Sequence, residues 1–352
     1  MIYWEQADLL LIAVGAIATL CLPKRRRVLL LLLLTLAIAF AAKEYYADPR
    51  PCAENALLCL SSYGFPSIHA AGATLIALAS VGCLWFYVFA PAAAIIAASR
   101  VFFGLHSFLQ VAAGIALGAA VWIAANEILD ALEERKKKKR IAEKMENVKK
   151  AKHAAHAAVP RGFGEKFWFE AKRQGAHMLF GACVIAIALA LGKDVALAAL
   201  IASLAVGIVI MQFARRGIRF FFTDWALEVF ERRDAKPGWG ALNFVVGALF
   251  ALSFSHSLAF GCAAIAFLAF GDGFSTIIGL GFGRTPAHGS KSWEGFAGFA
   301  GAAFVTTFAL IGWQSALFYA VVLGLVEIVD FKVNDNLLVP IVAVVLRQAT
   351  GI

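Results

Sequence analysis

Apolar segments recur along the whole chain and constrain its fold more than any other feature. Hydrophobic residues make up 61% of the sequence and charged residues only 16%, a composition that excludes a soluble globular domain. Many of the segments approach the roughly 20 residues that a helix needs to cross a bilayer. We therefore predict an all-α polytopic membrane protein with about 12 transmembrane helices in two helical-bundle domains. The segments lie at residues 8–22, 28–42, 70–90, 92–105, 108–129, 176–192, 195–214, 240–254, 258–271, 295–311, 314–329 and 337–348.

Basic residues cluster at the ends of these segments. One cluster follows the first segment at residues 24–27, and another occupies residues 135–140. Because positively charged loops stay in the cytoplasm, both clusters are predicted to be cytoplasmic, with the N-terminus outside. This placement accounts for the net charge of +9, so no nucleic-acid partner is expected. We predict an integral, multi-pass protein of the plasma membrane that contacts membrane lipids. The sequence leaves open whether the protein forms a homodimer.

A charged segment at residues 131–162 separates the five apolar segments before it from the seven apolar segments after it. We predict a membrane domain at 1–130, a charged cytoplasmic helical linker at 131–162 and a second membrane domain at 163–352. The linker either lies on anionic headgroups or is a charged spacer. In the second domain, residues 219–239 are expected at the membrane interface.

Two cysteines share a polar loop of the first domain. They are Cys52 and Cys59, and they either form a disulfide, if the loop is extracytoplasmic, or remain free thiols.

Polar residues interrupt the first domain in three places that the predicted topology brings to the outer membrane face. Two arginines and a lysine there can neutralise a phosphate, and arginine offers bidentate contacts. Two histidines can divide the roles of nucleophile and general acid in phosphoryl transfer. Taken singly, each basic side chain also fits a helix end that reaches the lipid headgroups. These residues are Lys43, Arg50, Ser67, His69, Arg100 and His106.

Over about residues 1–130, the spacing of these residues resembles the three-part signature of the type-2 phosphatidate phosphatase superfamily of lipid phosphatases. Lys43 is followed after six residues by Arg50-Pro51, which matches the first part. Residues 66–69 read Pro-Ser-Ile-His and resemble the second part. A Ser-Arg pair at 99–100 is followed after five residues by His106, as in the third part.

The resemblance implies roles for these residues on a lipid phosphate substrate. His106 would be the nucleophile, and His69 would protonate the leaving oxygen. Two positions depart from the family, with Gln110 in place of an aspartate and Ile68 in place of a glycine. The Gln110 carbonyl can accept the ring N–H of the nucleophile but supplies no charge, so retained, weakened and lost hydrolysis all stay open. The residues implied in phosphate binding are Lys43, Arg50, Ser67 and Arg100.

The second domain carries a carboxylate at membrane depth. Asp272 stands between two glycines, at the end of an apolar segment, and a Gly-punctuated stretch and a polar loop follow it up to residue 295. A charged residue at this depth is costly and is usually kept for function. Glycines let the backbone approach a ligand, and a carboxylate near a lysine and exposed amides can hold a metal-bound polyphosphate. A Gly-rich helix-packing surface followed by a solvated loop is the alternative.

Two further polar stretches, at 170–177 and 327–336, accompany this segment. Their oxygen-bearing side chains suit Mg²⁺ better than zinc. Over about residues 165–350, the three stretches resemble the CTP-dependent polyprenol kinase family, which includes dolichol and phytol kinases. The motifs that carry the resemblance are Glu170…Arg173…His177…Gly181, Gly271-Asp272-Gly273 through Gly283, Lys291-Ser292-Trp293-Glu294-Gly295, and Glu327…Asp335-Asn336…Pro340.

This second resemblance implies transfer of the γ-phosphoryl group of CTP, as co-substrate, to a long-chain isoprenoid alcohol. Asp272 and Asp335 would hold Mg²⁺, and Asp272 and Lys291 would act in catalysis. His177 and Glu327 are candidate bases. The residues implied in nucleotide or substrate binding are Arg173, His177, Gly273, Gly279, Gly283, Arg284, Ser292, Glu294, Gly295, Glu327 and Asn336.

Several functions stay open beside a kinase. A CTP-dependent CDP-lipid synthase or a diacylglycerol kinase would use a similar site. A non-catalytic lipid-phosphate binder or flippase would bind lipid phosphates without turning over CTP. If both resemblances hold, an outward-facing phosphatase-like site and a cytoplasmic kinase site would together recycle a lipid carrier.

Overall fold

The computed structural model describes residues 19, 21–54, 63–146, 164–218, 238–289, 291–329, 331 and 333–352. The predicted first membrane helix, the second half of the linker and most of the predicted interfacial segment lie outside these residues. Cys52 takes part in a disulfide bond. Cys59, its partner in the disulfide alternative, lies outside the described residues.

Within the described ranges the chain is helical, apart from its turns and one isolated β-bridge. Among the described residues, six helices or parts of helices are long and apolar enough to cross a membrane, and four shorter apolar helices accompany them. The predicted all-α polytopic membrane fold is therefore confirmed. The helices are α1 (Arg25–Tyr46), α2 (Ile68–Ala79), α3 (Phe86–Phe102), α4 (Phe108–Glu146), α5 (Glu165–Leu191), α6 (Lys193–Arg215), α7 (Trp239–Phe254), α8 (Leu258–Phe282), α9 (Trp293–Ile311), α10 (Trp313–Ile328) and α11 (Asp335–Thr350).

The break between α2 and α3 lies earlier than the sequence predicts. The predicted segments 70–90 and 92–105 place a turn between them at Pro91, which is wrong, because α2 ends at Ala79 and Pro91 lies inside α3. The turn forms around Gly82, whose φ of 92° suits glycine and whose N–H donates to Gln212 Oε1 at 2.6 Å. Pro91 removes one backbone N–H from α3 without ending it.

Helix α8 continues through the predicted end of its apolar segment. Residues Phe267–Gly271 form a π-helical segment, and the α-helix resumes at Asp272 and runs to Phe282. Up to Phe282 the Gly-punctuated stretch therefore lies inside a helix, as the helix-packing alternative predicts, and exposed amides are left to the loop that follows. In an apolar bundle the backbone must satisfy its own hydrogen bonds, which favours the helix.

Glycines let neighbouring helices approach closely. A Cβ on Gly114 of α4 would lie 2.4 Å from the carbonyl oxygen of Ser67, and one on Gly118 would lie 2.1 Å from that of Ala71. This small-residue spacing brings α4 against α2. The same α4 packs against α7, so one hydrophobic core includes residues of both predicted domains.

Contacts of α4 and α11 define two opposite ends of the bundle. At one end, the Tyr46 hydroxyl donates to the Phe254 carbonyl at 3.0 Å and also contacts Gln348. At the other end, Glu127 accepts a hydrogen bond from the Asn334 backbone N–H at 2.8 Å. Because α11 runs from one contact to the other, we call these the Tyr46 end and the Glu127 end. From its start to Glu127, α4 rises about 28 Å, close to the thickness of a bilayer core.

Candidate functional sites

The predicted phosphatase-like residues gather at the Tyr46 end, and we call them the histidine site. Each lies where a helix begins or ends, because the apolar segments stop there. The His106 backbone N–H donates to the carbonyl of Arg100 at 3.1 Å, which joins the end of α3 to the turn before α4. The members are Lys43 in the last turn of α1, Arg50, Ser67 and His69 at the start of α2, Arg100 and His106.

Positive charge surrounds the imidazole of His106. Burial lowers the pKa of this histidine to about 3, and the nearby charges of Arg50 and Lys43 act in the same direction. The side chain is only 2% exposed. At neutral pH the imidazole is therefore uncharged, which is the form that can act as a nucleophile.

Two buried groups suit an anion beside this imidazole. Ser67 is fully buried at the N-terminus of α2, and its hydroxyl has no hydrogen-bond partner. Helix N-termini attract phosphate through free N–H groups and the helix dipole. Lys43 is 3% exposed, and its ammonium group donates to the Tyr63 carbonyl.

Gln110, which departs from the family pattern, contacts the predicted nucleophile directly. Its Oε1 lies 3.1 Å from His106 Nδ1 and accepts from the Ser107 backbone N–H at 3.2 Å. Its Nε2 donates to Asp48 Oδ2 at 2.8 Å and to the Pro49 carbonyl at 2.9 Å. The side-chain amide therefore uses both its donors and its acceptor at this site.

Sequence reasoning missed two residues of this environment. Asp48 lies within the motif from Lys43 to Arg50, but nothing in the motif shows that it reaches Gln110. Gly64 packs against the same side chain, since a Cβ there would lie 2.4 Å from both Gln110 Oε1 and Nε2.

A second cluster lies at the Glu127 end, and we call Asp272, Lys291, Glu327 and Asp335 the carboxylate site. The three carboxylates offer oxygen atoms that all lie within 4.8 Å of one another. Lys291 Nζ lies 2.7 Å from Glu327 Oε1 and 3.0 Å from Asp335 Oδ2. Asp335 follows Asn334, whose N–H is bound by Glu127, so the site lies at this end of the bundle.

The carboxylate site is made by the ends of several elements. Asp272 follows the π-helical segment of α8, Glu327 lies in the last turn of α10, and Asp335 begins α11. A short turned loop presents Lys291, whose carbonyl accepts from the Ala287 N–H at 3.0 Å. Burial works against a charged ammonium, but the carboxylates of Glu327 and Asp335 outweigh it and raise the pKa of Lys291.

The donor set of the carboxylate site fits a divalent cation. With all three carboxylates ionised, the site and its lysine carry two net negative charges, and Asp272 and Glu327 are only 7% and 2% exposed. Uncompensated buried charge is costly, and a hard cation such as Mg²⁺ would neutralise it through oxygen ligands. Gln174, whose Nε2 lies 3.4 Å from Asp272 Oδ2, also keeps a buried Oε1 with no hydrogen-bond partner.

Several other residues of the predicted kinase site contact nearby residues in the structure. Arg173 pairs with Glu170 at 2.8 Å, and the ring of His177 lies 5.0 Å from that of Phe244. Ser292 caps α9 by accepting from the Gly295 N–H at 3.2 Å. These contacts do not decide whether the residues also bind a nucleotide, so that role stays a prediction.

The remaining predicted residues of this group lie along α8, in its loop and at the start of α11. Glu294 accepts from the Thr285 N–H at 3.0 Å, Arg284 is exposed, and Asn336 is buried with an unpartnered Oδ1. A Cβ on Gly279 would lie 3.7 Å from the Cα of Gly295, so these glycines bring α8 and α9 together.

Two more glycines of the predicted nucleotide site pack against side chains of other residues. A Cβ on Gly273 would lie 3.1 Å from Met178 Cγ, and one on Gly283 would lie 2.7 Å from Ser292 Oγ. The packing alternative thus describes what these glycines contact, and their part in nucleotide binding stays a prediction.

Comparisons with known proteins found one curated relative and one family model. The uncharacterized protein MJ1137 of Methanocaldococcus jannaschii is 28% identical over 186 residues, which is 52% of this chain and 95% of that protein. No solved structure matches the chain. The model of the PAP2 superfamily matches residues 26–133, which include every member of the histidine site. Its match does not reach the carboxylate site. Residues 26–133 therefore resemble a domain of the PAP2 superfamily.

Proposed function

We propose that the histidine site hydrolyses lipid phosphates, either monoesters or pyrophosphates. The observation that carries this proposal is the state of His106. Its imidazole is buried, its Nδ1 lies 3.1 Å from Gln110 Oε1, and burial together with the charges of Arg50 and Lys43 lowers its pKa, which favours the uncharged form. A neutral nucleophile beside fixed cations is the arrangement that phosphoryl transfer to nitrogen requires.

The proposed reaction has two balanced steps. In the first, His106 Nε2 attacks phosphorus, the phosphorus–oxygen bond to the lipid breaks, and His69 gives a proton to the leaving oxygen. In the second, water attacks the same phosphorus, the nitrogen–phosphorus bond breaks, and inorganic phosphate leaves while His69 takes the proton back. Lys43, Arg50 and Arg100 stabilise the phosphoryl oxygens, and the buried Ser67 hydroxyl donates to one of them.

The test is phosphate release by the full chain in nanodiscs, from phosphatidate, a diacylglycerol pyrophosphate and a polyprenyl pyrophosphate. We expect turnover of at least one substrate, and His106→Ala to abolish it. His256→Ala is the matched control, because His256 is an exposed histidine at the same end of the bundle. Equal turnover by the wild type and His106→Ala would refute the proposed nucleophile.

For the carboxylate site, we propose a CTP-dependent kinase that phosphorylates a long-chain isoprenoid alcohol. The observation that favours it is the group of three carboxylates, two of them buried, with a lysine between Glu327 and Asp335. The Glu127 end also carries the basic residues around Arg27, whose Nη2 donates to Asn126 Oδ1 at 2.8 Å. By the positive-inside rule this end faces the cytoplasm, where CTP is available.

In this reaction the alcohol oxygen attacks the γ-phosphorus of CTP, the bond to the β-phosphate oxygen breaks, and CDP leaves. Asp272 and Asp335 would hold Mg²⁺. That ion would neutralise the charge of the β- and γ-phosphates. Lys291 orients the γ-phosphate, and Glu327 or His177 accepts the proton of the alcohol.

The test is transfer of label from γ-labelled CTP to a polyprenol or geranylgeraniol, with Asp272→Asn as the variant and Asp194→Asn as the control. Asp194 is an exposed carboxylate of the same chain. A labelled lipid monophosphate is the expected product, and transfer that survives Asp272→Asn would refute the assigned role.

Other products would identify the alternatives. A CDP-lipid with release of pyrophosphate would indicate a CDP-lipid synthase, and phosphorylation of diacylglycerol alone would indicate a diacylglycerol kinase. Binding of lipid phosphates with no CTP turnover would indicate a binder or flippase. If both activities are found, we propose that they recycle one lipid carrier across the plasma membrane, since the sites lie at opposite ends of the bundle.

A further inference from the structure

We infer that Asp48 is a positioning residue for His106, acts on it through the side-chain amide of Gln110, and supplies the negative charge that the family places next to the nucleophile. The inference rests on the proposed phosphatase function of the histidine site. It concerns this chain in particular, because Gln110 replaces the aspartate of the related motif.

The orientation of the Gln110 amide follows from its partners. Nε2 faces the Asp48 carboxylate and the Pro49 carbonyl, which can only accept hydrogen bonds. Oε1 faces the Ser107 backbone N–H, which can only donate. The flipped amide would place oxygen against two acceptors and N–H against a donor, so three independent contacts exclude it.

The amide orientation in turn fixes the tautomer of His106. Gln110 Oε1 carries no hydrogen, so His106 Nδ1, 3.1 Å away, must donate the proton of that hydrogen bond. A neutral imidazole carries one ring proton, so Nε2 keeps its lone pair. Gln110 therefore keeps the ring proton of His106 on Nδ1, as the aspartate of the related motif would. Nε2 is then the atom that attacks phosphorus.

Asp48 supplies the negative charge that the Gln110 amide lacks. Its carboxylate accepts from Gln110 Nε2 at 2.8 Å, so a chain of hydrogen bonds runs from Asp48 through the amide to the His106 ring. Hydrogen bonds in such a chain polarise one another. As Nε2 forms its bond to phosphorus, the ring becomes positive, and the Asp48 charge stabilises it through the polarised amide.

The backbone around Gln110 leaves room for the longer side chain. Gly64 lies against the amide so closely that a Cβ would approach its atoms to 2.4 Å, and its N–H donates to the Asp48 carbonyl at 2.8 Å. The amide is thus enclosed by Gly64 and by the segment that contains Asp48.

One test compares variants of the full chain in nanodiscs on a substrate that the wild type turns over. Asp48→Asn keeps the shape but removes the charge, and we expect kcat to fall about tenfold with KM unchanged. Gln110→Glu places a carboxylate against Asp48 and should cost more. The double variant Asp48→Asn with Gln110→Glu lets asparagine donate to glutamate and should recover part of that loss. Glu44→Gln, an exposed neighbour, is the control.

A second test reads the tautomer without any turnover. Nitrogen-15 NMR of the labelled protein distinguishes a protonated from a bare ring nitrogen, and His106→Gln assigns the His106 signals among the seven histidines. We expect Nδ1 protonated and Nε2 bare in the wild type. In Asp48→Asn, we expect a measurable population of the other tautomer.

The two readouts separate this inference from the proposed function. An Nε2–H tautomer in the wild type would overturn the inference even if the protein hydrolyses lipid phosphates. So would an Asp48→Asn variant with wild-type spectrum and wild-type kcat. A wild type that hydrolyses nothing but shows the expected tautomer and the expected change in Asp48→Asn would remove the phosphatase proposal and leave the Asp48–Gln110–His106 arrangement in place.

Discussion

Glu127 of α4 accepts a hydrogen bond from the backbone N–H of Asn334 at 2.8 Å, and this contact joins the PAP2-like region to the start of α11. The other carboxylate oxygen accepts from Trp239 Nε1 at 3.0 Å and from Asn243 Nδ2 at 2.8 Å. A half-buried carboxylate from the N-terminal half thus holds α7 and the start of α11 in the C-terminal half, at the end of the bundle that carries the carboxylate site.

Replacing Glu127 should therefore weaken the packing of the two halves. Glu127→Gln turns one acceptor into an N–H₂ group that faces N–H donors, and we expect a loss of about 1–3 kcal/mol in the free energy of unfolding. Thermal unfolding in detergent measures it. Glu133→Gln, an exposed glutamate of the same helix, should unfold like the wild type. Equal stability of both variants would contradict the structural role of Glu127.

The charge of the carboxylate site predicts opposite effects of two substitutions on cation binding. Asp272→Asn removes a ligand and should weaken binding of Mn²⁺, as a paramagnetic substitute for Mg²⁺, by at least about tenfold. Lys291→Met removes the positive charge that competes for Glu327 and Asp335, and should strengthen binding. Electron paramagnetic resonance titration measures both. Unchanged affinity in Asp272→Asn would show that the carboxylates hold no cation.

Gly64→Ala should damage the histidine site by steric displacement. Its Cβ would push against the Gln110 amide and move that amide away from His106. A misplacement of this size can cost about 100-fold in turnover, and we expect a fall in kcat with little change in KM. Gly207→Ala is the control, since no atom lies within 4 Å of its Cβ position. Wild-type kcat in Gly64→Ala would show that the contact is dispensable.

The lowered pKa of His106 predicts how stability depends on pH. The unfolded chain takes up this proton near pH 6.5, whereas the pKa of His106 in the folded chain is about 3. Between these values the unfolded state binds more protons, so His106 destabilises the fold as pH decreases from 6.5 towards 3 and has no effect above 6.5.

Thermal unfolding at pH 7.5 and pH 4.5 checks this sign. His106→Gln should lose less stability between the two values than the wild type does, and His256→Gln should behave like the wild type. Equal losses in the wild type and His106→Gln would mean that the buried imidazole is protonated in the folded state.

The sequence predicted the helical membrane fold because bilayer-length apolar segments have few alternatives. It also indicated that Lys43, Ser67 and His106 would meet, since helix ends at one membrane face come together. It could not show Asp48 and Gly64 as neighbours of Gln110, because that contact depends on how the loop before α2 folds over α4. The one sequence signal for this contact was that Asp48 lies inside the motif from Lys43 to Arg50.

Two expectations from the sequence differ from the structure. The glycines around Asp272 predicted an open ligand-binding stretch, but they lie mainly in α8, where small residues let α5 and α9 approach. The turn between α2 and α3 was placed at Pro91 and forms at Gly82, whose partner Gln212 lies 130 residues away. Both differences concern tertiary contacts that no local pattern encodes.

The opposite placement of the two sites is the central claim, and cysteine labelling tests it most directly. Glu44→Cys reports the end with the histidine site, and His288→Cys reports the loop of Lys291, each in a variant without the four free cysteines Cys21, Cys83, Cys183 and Cys262. Both Glu44 and His288 are exposed. In intact cells, a membrane-impermeant maleimide should modify Glu44→Cys and spare His288→Cys, and inverted vesicles should give the reverse. Modification of both cysteines from the same side of the membrane would contradict the account.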